Sequence, residues 1–279
     1  LECWNVGQVT SMDRMFFYVY SFNQLIDSWD VSKVEYMSYM FDNAYLFNQP
    51  IDSWDVSQVK NMDEMFNYAT SFNKPIDTWN VSQVTYLGGM FYDALKFNQA
   101  IDSWNVSQVE TMRFMFSGAT SFNQPIGDWN TSQVRKMDNM FSNATSFNQS
   151  LDTWDVSQVY TMYEMFRGAF DFNQCLSTWA EKTDDTVYTT DMLYGTDCPN
   201  GIDNPDATIG PWCQDYKLGC FAPGFEPSQQ PSVLPSNKPT DVPTKPPTNA
   251  PTNSQTTKGQ KKKSIKKTKK QDKKKSKKM

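Results

Sequence analysis

Tryptophan recurs at positions 4, 29, 54, 79, 104, 129, 154 and 179, a step of 25 residues with no insertion over seven periods. Phe-Asn pairs keep the same step from Phe22-Asn23 to Phe172-Asn173, and Met-Phe pairs keep it from Met15-Phe16 to Met165-Phe166. One unit, residues 47–71, reads FNQPIDSWDVSQVKNMDEMFNYATS. A segment this short cannot bury its own Trp, Met and Phe. Its copies must stack, which places each residue type in a continuous ladder. The Trp and Met-Phe ladders are expected to be core. Leu1 falls where other copies carry Ile26 or Ile51, so the sequence opens partway through a repeat, as expected of a fragment or a trimmed boundary.

Spacing inside the unit suggests what each copy folds into. Ile51, Trp54, Val56 and Val59 occupy relative positions 1, 4, 6 and 9, the L-x-x-L-x-L-x-x-N/C spacing of leucine-rich repeats, and the 25-residue period lies within their range. Trp54-Asp55-Val56 alternates as a half-buried strand does. Val59, Met62, Met65, Phe66 and Ala69 then follow at i, i+3, i+6, i+7 and i+10, one face of a helix of about 11 residues. Ser57 precedes it as N-cap, and Ser32/Glu35 and Ser107/Glu110 have the spacing of a capping box. The expected fold class is therefore α/β, a leucine-rich-repeat-like solenoid of 25-residue strand–helix repeats. The Asn column, Asn23 to Asn173, is expected to bond backbone groups of the turn in the neighbouring coil.

The chain contains no histidine, which excludes Ser-His-Asp and Cys-His nucleophile pairs and an HExxH zinc site. Carboxylates are arrayed by repeat symmetry, and no pair stands out as the acid and base of a glycosidase. No enzyme activity and no cofactor are expected. No run approaches the roughly 18 apolar residues of a membrane span. Past Trp179 the lattice loses phase, Met192-Leu193 matching Met-Phe with two extra residues. Residues 180–222 are expected to cap the 1–179 solenoid. Cys175, Cys198, Cys213 and Cys220 lie near this region without CxxC spacing, so disulfides are the better reading, with three connectivities open and Cys3 left odd.

Composition changes at Pro223. Proline recurs every fourth residue from 223 to 251 with Ser and Thr between, a segment too poor in apolar residues to pack a core and expected to be an extended stalk over 223–257. Residues 258–279 hold 13 Lys and one Asp and are expected to form a solvated disordered arm. The charge is divided accordingly. Residues 1–225 carry 11 basic and 28 acidic groups, and residues 226–279 carry 15 Lys and three acids.

The W-[DN]-V-S-x-V-x-x-M-x-x-M-F core, clean in the copies at Trp29, Trp54, Trp104 and Trp154, resembles the BspA-like leucine-rich-repeat surface proteins, whose repeat is also known from mycoplasma lipoproteins as a domain of unknown function. Leu87 and Thr131 depart from the pattern. The resemblance covers roughly residues 1–180. It implies a secreted or surface-attached protein that binds or adheres, with no catalytic residues and no defined ligand site.

In such a solenoid the outward strand residues line a concave surface. Here they are Asp30, Asp55, Asn80, Asn105, Asn130 and Asp155, the candidate ligand-binding lane, beside a second acidic column at Asp27, Asp52, Asp77, Asp102 and Asp152. The bland alternative is that these side chains only cap and solubilise their turns. Sequons occur at Asn80, Asn105, Asn130, Asn143 and Asn148, with Asn143 the best glycosylation candidate and Asn148 expected to be buried in its ladder. The expected partners are an extracellular protein or polysaccharide on the solenoid and a polyanion on the Lys261–Lys278 tail. No specific nucleic acid is expected, because no aromatic residue interleaves the lysines. These features suggest a non-enzymatic surface or secreted binding and adhesion protein using its solenoid for protein or glycan recognition. The alternative is an extracellular-matrix or cell-wall protein assembling through its acidic solenoid and polycationic tail.

Overall fold

The computed structural model describes residues 4–199, 201–207, 209–210 and 212–213. Expectations for Cys3, Cys220, the 223–257 stalk and the 258–279 arm lie outside the described residues.

Each 25-residue copy forms one coil, and successive coils pair in parallel. Isolated bridges join Ser11 to Tyr36, Tyr36 to Asn61, Asn61 to Tyr86, and so on through Thr161 to Tyr188. The strand expected at Trp54–Val56 does not form, and pairing falls instead at Asn61, inside the expected helix. That helix does not form either. Among the described residues the single α-helix is α1, Trp179–Lys182.

Consecutive tight turns take the helix's place. Amides close back three residues at Trp54→Ile51, Val59→Val56, Met65→Met62, Ala69→Phe66 and Phe72→Ala69, with N···O of 2.9–3.2 Å. The inward residue recurs every three positions because a turn is three residues long, and this step imitates one face of a helix. Between the turn bonds, alternate amides cross to the next coil. Met62, Glu64, Phe66 and Tyr68 donate to the carbonyls of Tyr86, Gly88, Met90 and Tyr92 at 2.7–3.1 Å.

The crossing amides impose a left-handed backbone twice per coil. One column runs Arg14, Tyr39, Glu64, Gly89, Phe114, Asn139 and Glu164, and the other Tyr18, Asn43, Tyr68, Asp93, Gly118, Asn143 and Gly168, all with φ between 50° and 70°. A non-glycine residue there is strained by roughly 1–2 kcal/mol. Each such amide in both columns donates to the following coil, so the stack holds the strained conformation in place. A helix cannot pass through two left-handed residues four positions apart.

The core consists of the ladders. In one coil Ile51, Trp54, Val56, Val59, Met62, Met65, Phe66, Ala69 and Phe72 are all buried. Phe41, Phe66, Phe91, Phe116, Phe141 and Phe166 stack with centroids 5.4–5.7 Å apart and near-parallel planes. Trp54 to Trp154 stack at 6.3–6.5 Å. From Trp54 on, the indoles are also satisfied: Trp79 Nε1 donates to Ile51 O at 3.0 Å, and Trp54, Trp104, Trp129, Trp154 and Trp179 repeat the bond, whereas buried Trp29 Nε1 has no partner. Fully burying such side chains contributes about 1.5–3 kcal/mol each. Along another edge the Asn ladder accepts backbone amides: Asn73 N donates to Asn48 Oδ1 at 2.9 Å and Asn98 N to Asn73 Oδ1 at 3.0 Å. Gln99 Nε2 and Gln124 Nε2 add bonds to the same column.

After Trp179 the cross-coil bonds continue with two extra residues, Phe166 N donating to Met192 O and Glu164 N to Thr190 O. An antiparallel bridge, Leu176 to Trp212, brings the later chain back over the last coil, where Trp212 meets Trp179 edge-on at 6.4 Å. Cys198 and Cys213 form a disulfide. Cys175 is also disulfide-bonded.

Two predictions follow from this packing. Asn98→Ala removes the acceptor for Asn123 N and Gln124 Nε2, and is expected to cost about 1–3 kcal/mol in urea denaturation followed by tryptophan fluorescence. Burial pushes the Asp42 carboxyl up to about 6, outweighing the Asn43 Nδ2 hydrogen bond that lowers it. Because the folded value lies above the ordinary 3.8, this group's stabilising contribution is complete below that value and is lost as pH rises through 6. Asp42→Asn should raise the urea midpoint at pH 7 and flatten its dependence between pH 4 and 7.

Candidate functional site

The lane Asp30, Asp55, Asn80, Asn105, Asn130 and Asp155 lies at equivalent points of successive coils, all exposed except half-buried Asp155. Each side chain closes its own turn. Asp55 Oδ1 accepts Ser57 N at 3.0 Å, and Asn80, Asn105, Asn130 and Asp155 accept from the serine two residues on. Asp30 accepts both Ser32 N and Ser32 Oγ. The Ser32 hydroxyl, then its amide, holds the Asp30 carboxyl below its ordinary range. The Ser157 amide does the same for Asp155. The second acidic column also works between coils: Asp27 Oδ1 accepts Ser53 Oγ, and Asp152 Oδ1 accepts Thr178 N. Asn143 is exposed at a left-handed position, whereas Asn148 Oδ1 accepts Asn173 N within the Asn ladder.

A concavity lies elsewhere, on the face formed by the left-handed columns. A cavity of about 570 Å³ is lined by Asp63, Glu64, Asn67, Tyr68, Gly88, Gly89, Tyr92, Thr111, Arg113, Phe114 and Lys136. It draws residues from four consecutive coils, and its cause is a local loss of side chains. At the position of Gly88 other coils carry Asp13, Ser38, Asp63, Arg113, Asp138 and Tyr163; at that of Gly89 they carry Arg14, Tyr39, Glu64, Phe114, Asn139 and Glu164. The doublet leaves a notch in an otherwise filled surface. Gly89 has φ +59°, and a Cβ there would lie 2.8 Å from Glu64 Cγ.

The walls of the notch differ in character. On one side Asp63 Oδ1 accepts Gly88 N at 2.7 Å, and burial raises the Asp63 carboxyl above its ordinary value. Glu64 Oε2 accepts Asn67 Nδ2 at 2.8 Å. Asn67 is nine-tenths buried, and its Oδ1 has no hydrogen-bond partner. On the other side Arg113 pairs with Asp138 through Nε and Oδ2, and its guanidinium lies 5.5 Å from the Phe114 ring centroid. Tyr68, Tyr92 and Phe114 form a row of rings at 5.4 and 6.0 Å. Burial pushes the Tyr68 hydroxyl up to about 12, with the Asp93 carboxylate adding to it, so the phenol stays neutral. A shallower concavity adjoins at Arg113, Lys136, Asp138, Tyr160, Tyr163 and Tyr188. The sequence reading fixed on regular columns and passed over this site. Its signal was the break in regularity at Gly88-Gly89.

No curated protein and no solved structure matches the chain. A family model matches it twice, over residues 1–102 and 87–201, and the family's description assigns no function. The partners expected from the sequence do not stand. Nothing in the family supports an extracellular protein or polysaccharide on the repeats, and the lane meant to hold one uses its oxygens to close its own turns. The Lys261–Lys278 tail expected to hold a polyanion lies outside the described residues. Among the described residues no helix is long and apolar enough to cross a membrane. Matched over most of its length, the chain belongs to the family described as Mycoplasma protein of unknown function, DUF285.

Proposed function

We propose that the chain is a non-enzymatic surface or secreted protein of the BspA-like kind, whose repeats form a leucine-rich-repeat-like solenoid that serves as a binding and adhesion scaffold. The observation that carries this reading is a division of labour between residues. Those that recur in every copy are consumed by the stack as core, ladder bonds and turn closures. Those that differ between copies, Asp63, Glu64, Gly88, Gly89, Arg113 and Phe114, line the notch on the face of the left-handed columns. Recognition by a repeat protein uses variable surface positions on a constant frame. The Cys198–Cys213 disulfide and the bonded Cys175 suit an oxidising compartment, since thiols elsewhere are kept reduced.

Location and binding are testable together. Antibody to the chain should label intact, unpermeabilised cells or detect the chain in the medium, and fluorescent chain added back should be retained on those cells saturably. Labelling that requires permeabilisation, with none in the medium, overturns the surface or secreted assignment. Retention that never saturates overturns the binding role.

A further inference from the structure

The notch at Gly89 has an internal counterpart in which the same position is filled. Three coils earlier that position is Arg14, with the same left-handed backbone and the same crossing bond, Arg14 N to Ser38 O, as Gly89 N to Arg113 O. The Arg14 guanidinium lies 4.9 Å from the ring centroid of Tyr39, the next residue of its column, and 5.7 Å from that of Phe17. At the notch the next residue of the column is again aromatic, Phe114, and the preceding one is Glu64. The ring and a carboxylate are present, and although Arg113 approaches the Phe114 ring at 5.5 Å, the Gly89 position between ring and carboxylate carries no side chain of its own. The face repeats the motif at Arg167, whose guanidinium lies 5.3 Å from the Tyr194 ring while its Nη1 pairs with Glu164.

Hydrogen-bond capacity at the notch has the same sign. Asp63, Glu64 and the unpartnered Asn67 Oδ1 place acceptors on one wall. A guanidinium presents five N–H donors in a plane that also stacks on an aromatic face. The opposite wall carries cations. Arg113 is paired with Asp138, and Lys136, 5.9 Å from the Tyr160 ring centroid, makes no ion pair among the described residues. That end suits an anion. The cavity is within the usual range of small-ligand sites, about 300–1,000 Å³.

We propose that the Gly88-Gly89 notch is a binding site for an arginine-type ligand. Its guanidinium enters between Glu64 and Phe114, beside Asp63 and Asn67, and its carboxylate lies toward Lys136 and Arg113. The ligand is either free arginine or the C-terminal arginine of a peptide. This inference rests on the recognition reading above and names the ligand class of its site.

Isothermal titration of the full chain tests it, with L-arginine, L-citrulline, agmatine and Gly-Arg as probes. L-arginine is expected to bind saturably. Citrulline, its uncharged near-isostere, should bind at least about tenfold more weakly, as should arginine to the Glu64→Gln chain, since each change removes the charge assistance from the hydrogen bond. Phe114→Leu, which keeps the bulk and removes the ring, should weaken arginine as well. Agmatine, lacking the carboxylate, should bind more weakly than arginine, and the gap should narrow in Lys136→Met. Tighter binding of Gly-Arg than of arginine would support a peptide C-terminus as the source, and weaker binding would support the free amino acid. Equal binding of citrulline and arginine, or an unchanged affinity in Glu64→Gln with its native circular-dichroism spectrum, overturns the guanidinium assignment. A chain that labels the cell surface and binds cells saturably, yet does not bind arginine, refutes this inference and leaves the recognition reading intact.

Discussion

The amide that crosses from one coil to the next is the bond on which this structure depends. Four residues in each coil, such as Met62, Glu64, Phe66 and Tyr68, find their acceptors only in the following copy. An isolated coil would leave those donors unpaired beside an exposed row of Trp, Met and Phe, and a buried unpaired amide costs on the order of 1–3 kcal/mol. Cohesion is therefore intercoil in nearly every term: the amides, the indole bonds to Ile carbonyls, the Asn ladder and the ring stacks. Ion pairs add little to this. Lys60–Glu35 joins neighbouring coils at the surface, where such pairs contribute about 0–1 kcal/mol.

Much of this was legible in the sequence because stacking is dictated by period. Residues 25 apart had to meet, and Trp79, Phe91 and Asn98 meet their equivalents. The local conformation was not legible, for a specific reason. Val56, Val59, Met62, Met65 and Phe66 have a spacing that a helix and a series of three-residue turns share. The residue that decides between them, the left-handed one, is usually announced by glycine or asparagine. The second column does announce it, with Asn43, Gly118, Asn143 and Gly168, but in the first it is Arg14, Tyr39, Glu64, Phe114 or Glu164 in five of seven coils. The neighbouring coil supplies the force that holds φ positive there, so the preference is absent from the local sequence.

The same logic accounts for the turn bonds of the Asp55 lane. A repeated polar residue has a repeated job, and here that job is to close a turn on the serine two residues later. Asymmetry is the better indicator of recognition in such a chain. Asp63, Gly88 and Arg113 occupy one column of the lattice, with Gly89 beside it and Lys136 on the next coil, and they converge because four successive coils contribute to a single face. Alterations of one copy can thus reshape the surface without disturbing the ladders beneath.

Near-identical copies create a folding problem, since a coil could pair with the next copy but one at little loss to the core. The left-handed glycines bear on it. A Cβ on Gly118 would lie 1.9 Å from Asp93 Oδ1, and one on Gly168 would lie 2.6 Å from Asn143 Oδ1. Each of these side chains leans over the glycine of the following coil. If the coil containing Gly118 were looped out, Asp93 would face Asn143, and its carboxylate would have to turn away from the Asn143 Cβ. Such pairs weight the stack toward one neighbour over another, a register signal that two copies carry within an otherwise monotonous repeat.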